Sequence, residues 1–146
     1  MSATDPTPSA TWLRPQSEGI PILPAAPLSR PFWDGCDEGE LRYQRCAACG
    51  TAIFNPAPVC RVCTSKDLRW AVSAGDGAVY SYTICYRPMS PQFSDIYVPV
   101  IVDLDEGYQM LSNVIGCEAA DVHVGLRVSV RFHRIGDRTF RYFEPA

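Results

Sequence analysis

Lysine is almost missing from this chain. Lys66 is the one example, and every other basic side chain is arginine. Histidine is nearly as scarce, with His123 and His133 alone. With a formal net charge of −3, this shortage of cations argues against a general affinity for nucleic acid, which depends on cancelling phosphate charge. No apolar run approaches the roughly 18 residues of a spanning helix, so no membrane segment is expected. The stretch Met1-Ser2-Ala3-Thr4-Asp5-Pro6 has neither a basic region nor an apolar one. Export is therefore not indicated, and a cytoplasmic location is expected. Glycine motifs that cradle phosphate are missing too. Paired carboxylates occur only at Asp103, Asp105 and Glu106, which read as a hairpin turn. His123 and His133 occupy separate segments, and His133 alternates with arginines on what reads as a solvated face. No nucleophile with a base and an orienting group emerges, so independent catalysis is not expected.

Cysteine, by contrast, is plentiful, with seven residues. Four form two C-x2-C pairs, Cys46 with Cys49 and Cys60 with Cys63. Each such turn aims two sulfurs at one centre, and Gly50 suits the left-handed backbone that follows the first knuckle. Four thiolates around a borderline-soft cation describe structural zinc, with no open coordination position left for chemistry. The competing readings are iron in a rubredoxin-like site, a redox pair and a disulfide framework. An odd cysteine total and the lack of an export signal fit disulfides poorly. A thioredoxin-type pair needs a βαβ pattern, which is not seen. Cys36, Cys85 and Cys117 read as small packing residues.

The chain divides into three stretches. Residues 1–31 hold seven of the thirteen prolines and show no hydrophobic period, which predicts an extended arm unable to fold alone. Its apolar patch, Ile20 to Pro24, either packs across its own domain or docks on a partner. Residues 32–73 read as a short helix and the ribbon. Ser29 is placed as its cap, Pro31 in the first turn and Gly39 at its end. Residues 74–146 predict strands at Ala78 to Tyr86, Val98 to Leu104, Tyr108 to Ile115, Leu126 to His133 and Arg138 to Glu144. In the fourth of these, Leu126, Val128, Val130 and Phe132 are expected to point inward. Five strands, with a short break after the third, predict a five-stranded OB-fold barrel; an SH3-like barrel is the rival. Residues 87–97 are too long for a plain turn, and Met89, Phe93, Ile96 and Tyr97 would be costly to leave in water. The loop is read either as folding over the barrel mouth or as a contact surface.

Several segments together resemble a known family. They are Phe32-Trp33, Gly39-Glu40-Leu41, Arg45-Cys46-x-x-Cys49-Gly50 and Cys60-x-x-Cys63. In the barrel they are Gly75-x-Gly77-x-Val79-Tyr80-Ser81, Leu104-Asp105-Glu106-Gly107, Val124-Gly125-x-x-Val128 and Phe143-Glu144-Pro145. The chain is similar over about residues 28–146 to the acyl-CoA-associated proteins that join a rubredoxin-like zinc ribbon to an OB-fold. It departs from them at Arg61, where the family often has proline, and at Val59, in a stretch that is often basic. The resemblance implies a mainly β fold, structural zinc on Cys46, Cys49, Cys60 and Cys63, and no catalytic residue of its own. It implies a subunit that binds and stabilises a thiolase-like enzyme, a CoA-ester aldolase or a hydratase. Such complexes act on acyl-CoA in sterol side-chain, aromatic or fatty-acid degradation, with the CoA ester as ligand of the complex. By the same analogy the ribbon and Met89, Phe93, Ile96 and Tyr97 would form the docking surface. Arg127, Arg131 and Arg141, with Arg134 and Arg138, would meet acidic partner residues or a CoA phosphate; the alternative for that row is a solvated strand face. Two other classes stay open: a single-strand nucleic-acid binder stacking bases on Tyr80, Tyr82 and Tyr86, and a carrier of a hydrophobic acyl ligand.

Overall fold

The computed structural model describes residues 9–93 and 96–146; the first eight residues of the arm, and Ser94 and Asp95 of the long loop, lie outside it. A 3-10 turn, Pro27–Ser29, runs directly into helix α1, Arg30–Asp37. That continuity corrects the expected cap. Ser29 is already helical, and its Oγ donates back to the Ala26 carbonyl at 3.0 Å instead of forward into the helix. The end of α1 follows expectation. Gly39 takes φ 75°, its N–H reaches the Cys36 carbonyl at 3.1 Å, and the Glu40 N–H reaches Gly35 at 2.8 Å. This paired closure needs a left-handed residue, which glycine supplies without a Cβ clash.

The chain then enters a three-stranded antiparallel sheet ordered β2-β1-β3, from β1 (Leu41–Cys46), β2 (Ala52–Ile53) and β3 (Leu68–Ser73). Strand β1 pairs along its whole length with β3, from Leu41 opposite Ser73 to Cys46 opposite Leu68. Next come β4 (Asp76–Tyr82), β5 (Val98–Leu104), β6 (Gln109–Val114), β7 (Arg127–Ile135) and β8 (Arg138–Pro145). These close into a barrel ordered β4-β5-β6-β8-β7, with β7 returning to β4. The parallel contact between β6 and β8, at Val114 and Phe143, is the closure of an OB-fold and decides against the SH3-like alternative. Val98, Val102, Val128 and Phe143 are wholly buried at its centre. Gly77 is required there, since a Cβ at that position would lie 2.3 Å from the Asp103 carbonyl oxygen.

Two strands depart from the sequence expectation. Strand β4 stops at Tyr82, not Tyr86, and carries a bulge between Val79 and Ser81. Beyond it Thr83 donates to the Pro99 carbonyl at 3.1 Å, but Pro99 has no N–H to return. In β7, Val128 is buried and Val130 and Phe132 pack against the core as expected, with Leu126 just ahead of the strand. The outward face is not uniformly solvated, however. Ile135 is buried, and His133 is half-buried with its ring edge-on to Tyr142 at 5.8 Å. The reason lies in the arm, whose Ile20 joins Phe140 against the buried trio Ile115, Ile135 and Tyr142. Further back, Leu13 is 1% exposed and exchanges backbone bonds with Cys117 and Gly116 at 2.9 and 3.0 Å. Among the described residues, no helix is long and apolar enough to cross a membrane.

Helix, ribbon and barrel share one core. The rings of Phe140, Trp33, Phe32, Phe54, Tyr108 and Tyr43 form a continuous chain of contacts, with neighbouring centroids 4.7 to 5.8 Å apart. A polar tether lies beside it. Ser73 Oγ stands 2.8 Å from both carboxylate oxygens of Glu106 and donates to one, while the Ala74 N–H donates to Glu106 at 3.2 Å. Asp105-Glu106-Gly107 is thus the expected hairpin turn and also the peg that fixes the ribbon-to-barrel junction. Hydrogen bonds to a charged group contribute about 1.5–3 kcal/mol. Glu106→Gln, which keeps the shape and removes the charge, is expected to lower unfolding free energy by about 1–2 kcal/mol. Chemical denaturation at fixed metal load measures this, and parental stability would show that the peg carries none.

Candidate metal centre and contact surface

The two knuckles repeat one backbone design. In the first, the Gly50 N–H reaches the Cys46 carbonyl at 2.8 Å and the Cys46 N–H reaches Thr51 at 2.9 Å. In the second, the Thr64 N–H reaches Cys60 at 3.0 Å and the Cys60 N–H reaches Ser65 at 2.9 Å. Thr64 occupies the place that Gly50 fills in the first knuckle, and it holds φ 63°, an unfavourable conformation for a β-branched residue. The loop between the knuckles is pinned from β1. Buried Gln44 accepts the Ala57 N–H at 2.8 Å and donates to the Ala57 carbonyl at 3.3 Å.

This framework gathers the sulfurs of Cys46, Cys49, Cys60 and Cys63 within 4.8 Å of one another. Cys46 Sγ lies 3.5 Å from Cys63 Sγ, and Cys49 Sγ lies 3.6 Å from Cys60 Sγ. Metal–sulfur bonds of about 2.3 Å at tetrahedral angles put sulfurs roughly 3.8 Å apart, so the set fits a four-coordinate cation. A disulfide needs about 2.05 Å, and all seven cysteines are free thiols. Cys46 and Cys60 are buried, while Cys49 and Cys63 face outward.

The electrostatics point the same way. Hydrogen bonds from the Thr51 hydroxyl and N–H hold the Cys49 thiol down to about 6, and backbone N–H groups of Cys63 and Val62 lower Cys60. At Cys63 the Ser65 N–H also lowers the thiol, but the crowding sulfurs of Cys46, Cys49 and Cys60 outweigh it and push the thiol up to about 12. Some thiolates are favoured and the last is opposed, which is the balance a cation resolves. Cys36 and Cys117 differ, since burial pushes both thiols up to about 11, in keeping with packing roles. No histidine joins the cluster, and His123 is exposed with Nδ1 2.9 Å from the Asp121 carbonyl oxygen.

The predicted contact residues are only partly brought together. Met89 is 92% exposed, Ile96 is buried, and Phe93 and Tyr97 are half-buried with centroids 6.2 Å apart. Arg127 and Arg131 stand on β7 and are engaged within the chain. Arg127 makes two hydrogen bonds to Asp105 at 2.7 and 2.9 Å, and Arg131 pairs with Glu144 at 3.3 Å. Arg134 faces Asp37 at 3.9 Å, and Arg138 donates to the Leu23 carbonyl and lies over Trp33 at 4.5 Å. Arg141 is not on a solvated face; it is folded under α1, over the rings of Phe32 and Trp33 at 5.6 and 5.7 Å. Sequence reasoning missed the shallow uncharged cleft of about 280 Å³ on the outer face of β4, β5 and β6, where Tyr82, Pro99, Ile101 and Leu111 meet. Tyr82 and Leu111 are 40% and 63% exposed at it, and Tyr80, at the bulge of β4, is 55% exposed. The alternation in β4 had placed the tyrosines on one face; the bulge obscured which face that was.

Two family models match the chain: the ChsH2 rubredoxin-like zinc ribbon domain over residues 33–69 and the ChsH2 C-terminal OB-fold domain over residues 70–133. A probable enoyl-CoA hydratase alpha subunit of Thermomonospora curvata is 35% identical over 125 residues, 84% of this chain and 39% of that protein. The 3-oxo-4,17-pregnadiene-20-carboxyl-CoA hydratase alpha subunit of Mycobacterium tuberculosis is 32% identical over 114 residues, 78% of this chain and 36% of that protein. The chain thus spans well under half the length of either curated relative. Among solved structures, a chain of the Ltp2-ChsH2(DUF35) aldolase superimposes with a TM-score of 0.78 at 30% identity, covering 85% of this chain and 98% of that one.

Two outcomes test the centre. Cys46→Ser or Cys63→Ser is expected to lose the metal and yield unfolded or insoluble protein, read by metal analysis and circular dichroism. A soluble, metal-free variant of parental stability would refute the structural role. Thr64→Gly is expected to raise the melting temperature of the metal-loaded protein, through relief of up to about 1 kcal/mol of backbone strain.

Proposed function

We infer the role of this chain from one premise: it belongs to the ChsH2-type DUF35 family, in which a rubredoxin-like zinc ribbon precedes an OB-fold. Zinc on the four sulfurs would supply rigidity and no reactive position, since every ligand site is taken by protein sulfur. In this reading the chain is a non-catalytic cytoplasmic subunit. It binds and stabilises a larger enzyme, a thiolase-like aldolase or a hydratase, that acts on a CoA ester. The names of the similar proteins support an aldolase or hydratase partner and an acyl-CoA substrate. The mycobacterial relative's steroid-acid substrate supports sterol side-chain degradation as the pathway class.

The observation that carries the reading is the outer face of β4–β6. Tyr82 and Leu111 stand exposed at a cleft lined by no charged side chain, and Tyr80 is exposed at the bulge of the same strand as Tyr82. An uncharged cleft with tyrosine and leucine exposed at it has the makeup of a protein interface core, where charged residues are depleted and tyrosine enriched. The arginines of β7 are engaged within the chain and contribute to docking less than the resemblance suggested.

Affinity purification of the tagged, zinc-loaded chain is expected to recover a stoichiometric acyl-CoA aldolase or hydratase subunit. Tyr80→Asp with Tyr82→Asp is expected to weaken that complex at least tenfold while metal content and circular dichroism stay unchanged. Recovery of the chain alone, or with nucleic acid removable by salt, would reject the subunit reading. An unweakened complex would move the interface off this face.

A further inference from the structure

Three side chains marked for contact by the sequence, Phe93, Tyr97 and Arg141, line a single cleft of about 340 Å³. This cleft opens on the other side of Leu111 from the proposed docking face. Its remaining walls include Phe140 and Asn113 of the barrel and Ile20 of the N-terminal arm. The volume falls at the small end of ligand sites, about 300–1,000 Å³, and aromatic walls with a few polar groups are their usual lining.

Arg141 is the anomaly in this cleft. One guanidinium N–H, from Nη2, reaches the Leu111 carbonyl at 3.2 Å, while Nε is buried without a hydrogen-bond partner. Its neighbours on the two strands are served differently: Arg127, Arg131 and Arg134 each face an acidic side chain. Among the described residues no carboxylate pairs with Arg141. Arg141 is half-buried and lies over the Phe32 and Trp33 rings with no counter-anion, and arginine cannot shed its proton to escape that setting. Asn113, which also lines the cleft, has its Oδ1 buried without a donor. A half-turn of that amide would present its NH2 in place of the orphaned oxygen.

We propose that this cleft binds a small monocarboxylate with an apolar body. The carboxylate accepts from Arg141 and from the turned Asn113 amide, and the body lies against Phe93, Tyr97 and Phe140. Charge selects the class. A single cation among aromatic walls balances one negative charge, whereas a phosphate dianion would be left half-neutralised in an apolar setting. Gln16 and Ile20 of the arm and Phe93 of the long loop, none of them in a helix or strand, form part of the wall, so a ligand can enter without opening the barrel.

The test titrates the full-length, zinc-loaded chain with 4-phenylbutyrate, using 4-phenylbutan-1-ol as the neutral match of the same shape. Calorimetry reads affinity, and NMR shifts at Phe93, Tyr97 and Phe140 read location. The acid is expected to saturate and to bind at least about tenfold tighter than the alcohol, the scale of one charge-assisted hydrogen bond. Arg141→Met is expected to abolish that preference. It gives up the guanidinium's ring contacts with Phe32 and Trp33 and removes a half-buried cation that has no counter-anion, so its melting temperature is expected to shift little. Phe93→Ala, which leaves the guanidinium in place, is expected to weaken both ligands several-fold. Equal binding of acid and alcohol, no saturation by the acid, or a preference surviving Arg141→Met would overturn the proposal. A large fall in Arg141→Met stability would also overturn it, since that would make the guanidinium a structural element. The titration needs no partner, so its failure leaves the subunit reading standing.

Discussion

Four sulfurs held within 4.8 Å of one another are the constraint on which the ribbon depends. Without a cation they repel as they ionise, and with one they become the centre of that half of the molecule. The need is visible in how little else holds the knuckle end. Its buried apolar cluster is Cys46, Ile53 and Cys60, with Ala57 and Leu68 leaning on it, and β2 is two residues long. So small a cluster cannot offset the entropy of ordering two knuckles and the loop between them. Metal binding energy takes the place of a hydrophobic core there.

The opposite end of the same sheet needs no metal. Leu41 and Tyr43 of β1 are buried in the main core, where Tyr43 stacks on Tyr108 of the barrel at 4.7 Å. Strand β1 therefore joins two regions stabilised by different physics: thiolate coordination at Cys46 and aromatic packing at Tyr43. The Glu106 peg fixes the angle between them. Helix, ribbon and barrel thus share one apolar core, and the unusual chemistry lies at the surface. The uncharged face of β4–β6 and the cleft at Arg141 are both surface features, set on either side of Leu111.

Much of this was legible from local sequence. The C-x2-C pairs, Gly39 closing the helix, Asp105-Glu106-Gly107 turning the hairpin and the alternation in Val98–Leu104 each depend on residues a few positions apart. Where expectation failed, an adjoining turn or a distant segment was responsible. Ser29 gave up its cap because a 3-10 turn arrived ahead of it, and Ile135 lost its solvent in the cluster that Ile20 of the arm joins. Arg141 sits in an alternation that reads as solvated, yet α1, more than a hundred residues earlier, folds over it.

The sequence by itself determined the four-cysteine cluster, the five barrel strands and the family, because cysteine spacing and period-two patterning are local. Only the tertiary structure decided the barrel closure, the placing of Arg141 over the rings of α1 and the exposure of Tyr82 and Leu111 on the barrel's outer face. Those follow from which surfaces the helix and the proline-rich arm cover. That covering is set by packing between segments far apart in the chain, and neighbouring residues carry no record of it.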